Sequence, residues 1–141
     1  MLYIIVIGCG RLGSYLANSL SRTGHSIVII DKNQNTSRLL NSEFSGFFIE
    51  GDATEFSVLK QARIDKSDVV VATTQDDNLN LMVAQIAKQI YQVKRVVARV
   101  FDPNREIIYR DFGIETICPT IISGEVFLDA ISVPPAAMGG K

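Results

Sequence analysis

Tryptophan is absent from this chain, histidine occurs once, as His25, and cysteine twice, as Cys9 and Cys118. The two thiols lie far apart in sequence and form no C-x-x-C pair, which excludes a cysteine-spaced zinc site and a disulfide framework. Neither has a histidine near it in sequence, so a cysteine nucleophile would lack its activating base. His25 follows Gly24 at the entrance to a strand and reads as a turn residue. An excess of one charge is missing too: 14 Lys plus Arg face 15 Asp plus Glu, a formal net charge of −1. Nucleic acid is thereby excluded as the main partner, because phosphate binding needs a basic surface that marks the composition. Long apolar runs are lacking. The start, MLYIIVI, is too short to cross a bilayer and has neither the basic start nor the cleavage site of a secretion signal. It reads as a buried strand, and the reducing cytoplasm is the expected compartment.

What is present is a globular composition, 47% hydrophobic and 21% charged over 141 residues, enough for one domain whose core needs no staple. Apolar, β-branched runs recur at 3–7, 26–30, 47–49, 69–72, 95–100 and 115–118, continuous rather than alternating, as in strands covered on both faces. Segments of helical spacing separate them. Leu12, Leu16, Ala17 and Leu20 share one face, as do Leu81, Ala84, Ile86 and Ala87 within 76–91; further helices are expected at 35–41, 55–62, 102–112 and 120–131. Strand and helix alternate six times, and parallel crossovers are right-handed. The pattern predicts an α/β fold, a three-layer doubly wound parallel six-stranded sheet, over residues 1–131. Gly24, Gly46 and Gly113 stand where helices should end with a glycine cap, and Asp102-Pro103 where one should begin. Residues 132–141, SVPPAAMGGK, break all periodicity and read as a linker stub.

Gly8-Cys9-Gly10-Arg11-Leu12-Gly13 fits G-x-G-x-x-G and lies directly between the first strand and the first helix, the Rossmann fingerprint. Gly8 permits the tight turn, Gly10 lets the backbone approach a phosphate, and Gly13 lets helix and strand pack closely. Amides at the helix start then face an anion. Asp31 ends the second strand 18 residues past Gly13, where an acidic side chain accepts hydrogen bonds from both ribose hydroxyls of an adenosine and repels a 2′-phosphate. Lys32, next to it, is counted with the binding residues. Arg11 offers a terminal phosphate a bidentate partner, or is a solvated surface arginine.

Two more loops reach the carboxyl edge of the sheet, where open α/β folds bind ligands. Asp52 and the backbone of Ala53 would border an adenine pocket, and Thr73 and Thr74 would lie near the phosphates at the switch in strand order. Asp52 or Thr54 would equally serve as a cap for the third crossover helix, and Asp76 for the fourth. Arg99 interrupts the apolar strand VVARV; burial requires that it meet a ligand phosphate or a carboxylate such as Asp77 or Glu125.

Together these residues resemble the N-terminal nucleotide-binding domain of Trk/Ktr-type potassium-transport regulators, the RCK, KTN or TrkA-N domain. The resemblance rests on GCGRLG at 8–13, Asp31, GDAT at 51–54, ATTQDDNLN at 72–80, VARV at 97–100 and DFGIETICP at 111–119. It implies a domain that is no enzyme, but binds NAD(H), ATP, ADP or AMP and alters gating of a potassium channel or transporter. Phosphate contacts would fall on Gly10, Arg11 and Leu12, the ribose contact on Asp31, adenine contacts near Asp52 and Ala53, and the central loop on Thr73 and Thr74. The implied partner is a membrane-embedded channel or transporter subunit, at the inner face of the cell membrane. Independently of the resemblance, Ile121, Ile122, Val126, Phe127, Leu128 and Ile131 surround most of the helix expected at 120–131, so further copies of the chain are expected to cover it in a homodimer or larger ring. The sequence departs from the family where Thr120 follows Pro119 in place of a glutamate. No counterpart of the usual C-terminal regulatory lobe follows, so the chain is expected to be an N-terminal fragment or a stand-alone subunit. The fingerprint alone would also suit an NAD-dependent oxidoreductase, or an assembly module with a vestigial site.

Overall fold

The computed structural model describes residues 1–135. β1 (Tyr3–Ile7), β2 (Ser26–Asp31), β3 (Phe47–Glu50), β4 (Val69–Ala72), β5 (Arg95–Arg99) and β6 (Glu115–Ile117) arise where the apolar runs stand, since β-branched side chains pack well on a pleated surface. All pair in parallel, in the order β3-β2-β1-β4-β5-β6. Central β1 sets Ile5 against Val28 on one side and Val70 on the other. The chain runs outward from β1 to β3, then returns to the far side of β1 to start β4. Crossovers diverge at that reversal and leave a crevice beyond the carboxyl ends of β1 and β4. This is the doubly wound six-stranded sheet expected from the sequence.

Alternate side chains of each strand enter separate cores. Ile5, Ile7, Val28, Ile30 and Val70 pack with Leu59 of α2 (Phe56–Gln61) and Val83 and Ala84 of α3 (Asp77–Gln85). Ile4, Val6, Ile27 and Ile29 face the other way, onto Ala17 of α1 (Arg11–Arg22). Ile5, Val6, Ile29, Ile30 and Val70 are fully buried, each stabilising by about 1.5–3 kcal/mol. α3 continues through one wide π turn, Ile86–Ile90. α4 (Glu106–Asp111) precedes β6, and α5 (Pro119–Ser132) follows it without burying a single residue.

At three places the structure departs from the sequence pattern. The helix expected at 35–41 is a 3-10 turn, Gln34–Leu39, with no buried residue: QNTSRL offers no apolar stripe to pack, and Asn33 caps it by accepting the Asn35 amide at 2.9 Å. Gly24 and Gly113 have the left-handed φ of helix caps, +90° and +73°, but Gly46 does not; a Cβ there would stand 2.2 Å from the carbonyl oxygen of Ile27, so close approach is its reason. Asp102-Pro103 opens a 3-10 turn, with α4 starting only at Glu106. Of the expected linker stub, residues 136–141 lie outside the described residues.

Two glycines of the fingerprint differ in what they tolerate. A Cβ on Gly13 would meet the Gly8 carbonyl oxygen at 1.7 Å, whereas one on Gly10 would meet nothing within 4 Å. Gly13→Ala is therefore expected to destabilise by about 3 kcal/mol or more, and Gly10→Ala to stay within about 0.5 kcal/mol of the parent, as read by urea denaturation. Equal losses would refute this division.

Candidate functional site

The glycine loop is held from three sides. Gly8, with φ +101°, donates its amide to Ile30 at 2.8 Å. The buried Thr73 hydroxyl lies 3.0 and 3.1 Å from the carbonyl oxygens of Ile7 and Gly8, and so ties this loop to the end of β4. Asp31 Oδ2 accepts the Cys9 amide at 2.7 Å, while Oδ1 accepts that of Asn33 at 2.8 Å. An ionised carboxylate has about four acceptor positions, so two remain for other donors. Cys9 is buried with Sγ 3.4 Å from the Thr36 carbonyl, and burial pushes its thiol up from the usual range. No side chain caps the start of α1, and its first turn holds no acidic residue. Its leading amides and the positive end of its dipole are left for an anion.

Beside this helix start a cleft of about 590 Å³ opens at the carboxyl edge, lined by Gly8, Gly10, Arg11, Leu12, Asp31, Thr73, Thr74 and Arg99, and also by Leu39, Gln75 and Phe101. Eight of the twelve expected residues therefore meet in one place. Gly13 acts beneath it through packing. Lys32 and Asp52 stand apart from the lining and pair with each other at 3.8 Å, and Ala53 is buried in the core. Asp52 also accepts the amide and hydroxyl of Thr54, and those bonds, more than Lys32, hold its carboxyl below the usual range. These bonds make a turn ahead of α2 rather than a helix cap; Asp76 does cap α3, accepting the Asn78 and Leu79 amides.

Arg99 has no carboxylate within ion-pair distance among the described residues, against the alternative that Asp77 or Glu125 would pair with it. Asp77 is engaged elsewhere, accepting the Phe101 amide at 2.8 Å and the Asp102 amide at 3.0 Å. The guanidinium of Arg99 stacks 4.6 Å from the Phe101 ring centre and donates from Nη2 to the carbonyls of Thr73 and Thr74, while its buried Nε has no partner. Burial lowers its pKa, with Asp77 opposing; it remains a cation. Phe101 is not among the expected residues, although its place two residues past Arg99 at the same sheet edge was a signal for it. Leu39 carried no such signal, because it comes from the 3-10 turn misread as a helix.

A larger hollow of about 820 Å³ lies at the opposite edge, among the starts of β2 and β3, with Tyr3, His25, Phe47 and Arg63 in its wall. It has neither the glycine loop nor a helix start, and His25 is occupied, accepting the Leu2 amide at 3.0 Å. Among the described residues no group of three or more His, Cys, Asp or Glu is placed to hold a metal ion, and no helix is long and apolar enough to cross a membrane.

The family model of the TrkA-N domain matches residues 4–120. The Trk system potassium uptake protein TrkA of Streptomyces coelicolor is 34% identical over 116 residues, covering 82% of this chain and 52% of that protein. A TrkA homolog of Pyrococcus horikoshii is 32% identical over 125 residues, 88% of this chain and 55% of that protein. Among solved structures, the GsuK channel bound to NAD is 25% identical with a TM-score of 0.78, over 90% of this chain and 22% of that one. The chain spans about half the length of the curated relatives it matches, and their names carry potassium uptake rather than an enzymatic activity. Since the match runs from the first strand into the last helix and includes the whole cleft, this chain belongs to the TrkA-N domain family.

Proposed function

We propose that this chain is the nucleotide-binding regulatory module of a potassium uptake system and not an enzyme. The ligand is an adenosine nucleotide, NAD(H) or one of ATP, ADP and AMP, with its ribose at Asp31 and its phosphates against the start of α1. The observation that carries this reading is Arg99: a cation with no carboxylate partner among the described residues lines the same cleft as an uncapped helix start. A cation held there is compensated by a ligand's anion. The open space around Gly10 agrees, since the fold does not require glycine at that position. The GsuK structure supports NAD as one member of the ligand set. Hydride transfer to a substrate is disfavoured because the cleft lining has no His, Lys, Tyr or Cys to exchange a proton.

Regulation requires a partner, here a membrane-embedded potassium channel or transporter subunit, which would keep the chain at the inner face of the membrane. Homodimer or ring formation fits α5. Ile122, Val126, Phe127, Leu128 and Ile131 are 52–76% exposed and spread around the helix, a surface that a second subunit would cover.

Nucleotide should raise thermal stability by mass action, by roughly 2.7 kcal/mol at a hundred times the dissociation constant; a melting temperature unmoved by millimolar NADH, ATP, ADP and AMP would overturn the proposal. Asp31→Ala should weaken all four by a similar factor, on the order of ten-fold for charge-assisted hydrogen bonds to a shared ribose. Arg11→Ala should penalise ATP most, ADP less, and AMP or NADH least, as the charge near its guanidinium decreases; calorimetric titration separates this from uniform background charge. Phe127→Asp should reduce the assembly to monomer in sedimentation at micromolar concentration, and a parent chain already monomeric there would refute the α5 interface.

A further inference from the structure

Among the described residues Asn80 is the one fully buried side-chain amide, and it lies in the first turn of α3. An amide has two acceptor positions and two N–H donors, and all four are engaged by two loops. Oδ1 accepts the Thr74 amide at 3.0 Å and the Thr74 hydroxyl at 2.6 Å. Nδ2 donates to the Thr74 carbonyl at 3.0 Å and to the Arg99 carbonyl at 3.0 Å. Turned over, the amide would set N–H against N–H at Thr74, so its orientation is determined. The Arg99 side chain closes the ring by donating to the Thr74 carbonyl at 3.1 Å, filling that oxygen's second lone pair. A buried polar group that is fully satisfied does little net for stability over an apolar one, but it specifies a geometry.

We propose that Asn80 is the positioning residue of the cleft. Without touching the ligand, it fixes the Thr74 peptide and the end of β5, and through them the Arg99 guanidinium. Asp77, three residues earlier on the same turn, fixes the other side of Arg99 through the Phe101 and Asp102 amides. The first turn of α3 thus holds both loops at the phosphate end, and ligand affinity depends on a residue outside the lining. The proposal rests on the nucleotide reading of the cleft.

The test compares Asn80→Ala with Val83→Ala, which removes buried volume from the same helix and no hydrogen bond. ADP affinity is measured by calorimetry, and amide exchange at residues 73–76 and 99–102 is followed without nucleotide. Asn80→Ala should weaken ADP binding about ten-fold or more and release the Thr74 amide to exchange. Val83→Ala should lower the melting temperature while leaving ADP affinity within about two-fold of the parent. Asn80→Ser, uncharged and smaller, also removes the two bonds donated to the Thr74 and Arg99 carbonyls and gives the same comparison should the alanine variant not fold. Unchanged ADP affinity in a folded Asn80 variant, or an equal loss in Val83→Ala at matched stability, would overturn the proposal. Failure of the parent chain to bind any of the four nucleotides would refute the reading of the cleft instead. Exchange in the free protein would still decide whether Asn80 holds the loops, and unaltered protection at Thr74 would refute that.

Discussion

The carbonyl oxygen of Gly8 is the point on which this structure turns. A Cβ on Gly13 would lie 1.7 Å from it, and the Thr73 hydroxyl reaches it at 3.1 Å. Close packing at that atom lets α1 begin directly above β1, which places free helix amides at the sheet edge. The same atom ties the loop after β4 to the loop after β1, across the reversal in strand order where the crevice forms. Any side chain at Gly13 would push the helix start from the sheet and separate the two walls of the cleft together. One steric constraint therefore sets both the seat of the helix and the shape of the site.

Asp31 shows how a structural role and the proposed ribose contact would share one side chain. Its carboxylate already accepts the amides of Cys9 and Asn33, so it shapes the glycine loop before any ligand arrives. The remaining lone pairs are those a pair of ribose hydroxyls would use. Preorganisation follows from this sharing: the carboxylate cannot rotate freely to meet a ligand, and little conformational freedom is left to lose on binding. Arg99 is arranged alike, with Nη2 on backbone carbonyls and Phe101 under its plane.

The parallel sheet and, to within a residue, its strand limits were legible because they depend on patterns within a few residues: β-branched runs, a glycine after a helix, a fingerprint between strand and helix. What was not legible depends on contacts across the sheet. QNTSRL has the length of a crossover helix, but only tertiary packing could have decided its state, and it offers no apolar stripe to pack. Gly46 looks in sequence like Gly24 and Gly113, yet its reason is the Ile27 carbonyl 19 residues back in the chain. Arg99 was recognisable as needing a partner. That Asp77 would instead hold two backbone amides depends on how α3 meets the β5 edge.

Asn80 was passed over for the opposite reason. In sequence it is one polar residue in a polar stretch, QDDNLN, and nothing marks it from Asn78, which is exposed. Helical geometry makes the difference: Asp77 and Asn80 are three residues apart and so share a face, here the face turned to the carboxyl edge. A polar residue on the inward face of a helix start must find partners there, and at a sheet edge the available partners are the unpaired backbone groups of the loops. Those same loops line the cleft. In a doubly wound fold, satisfying the buried polar group and shaping the crevice are thus one requirement, because both draw on the short segment of chain beyond each strand end.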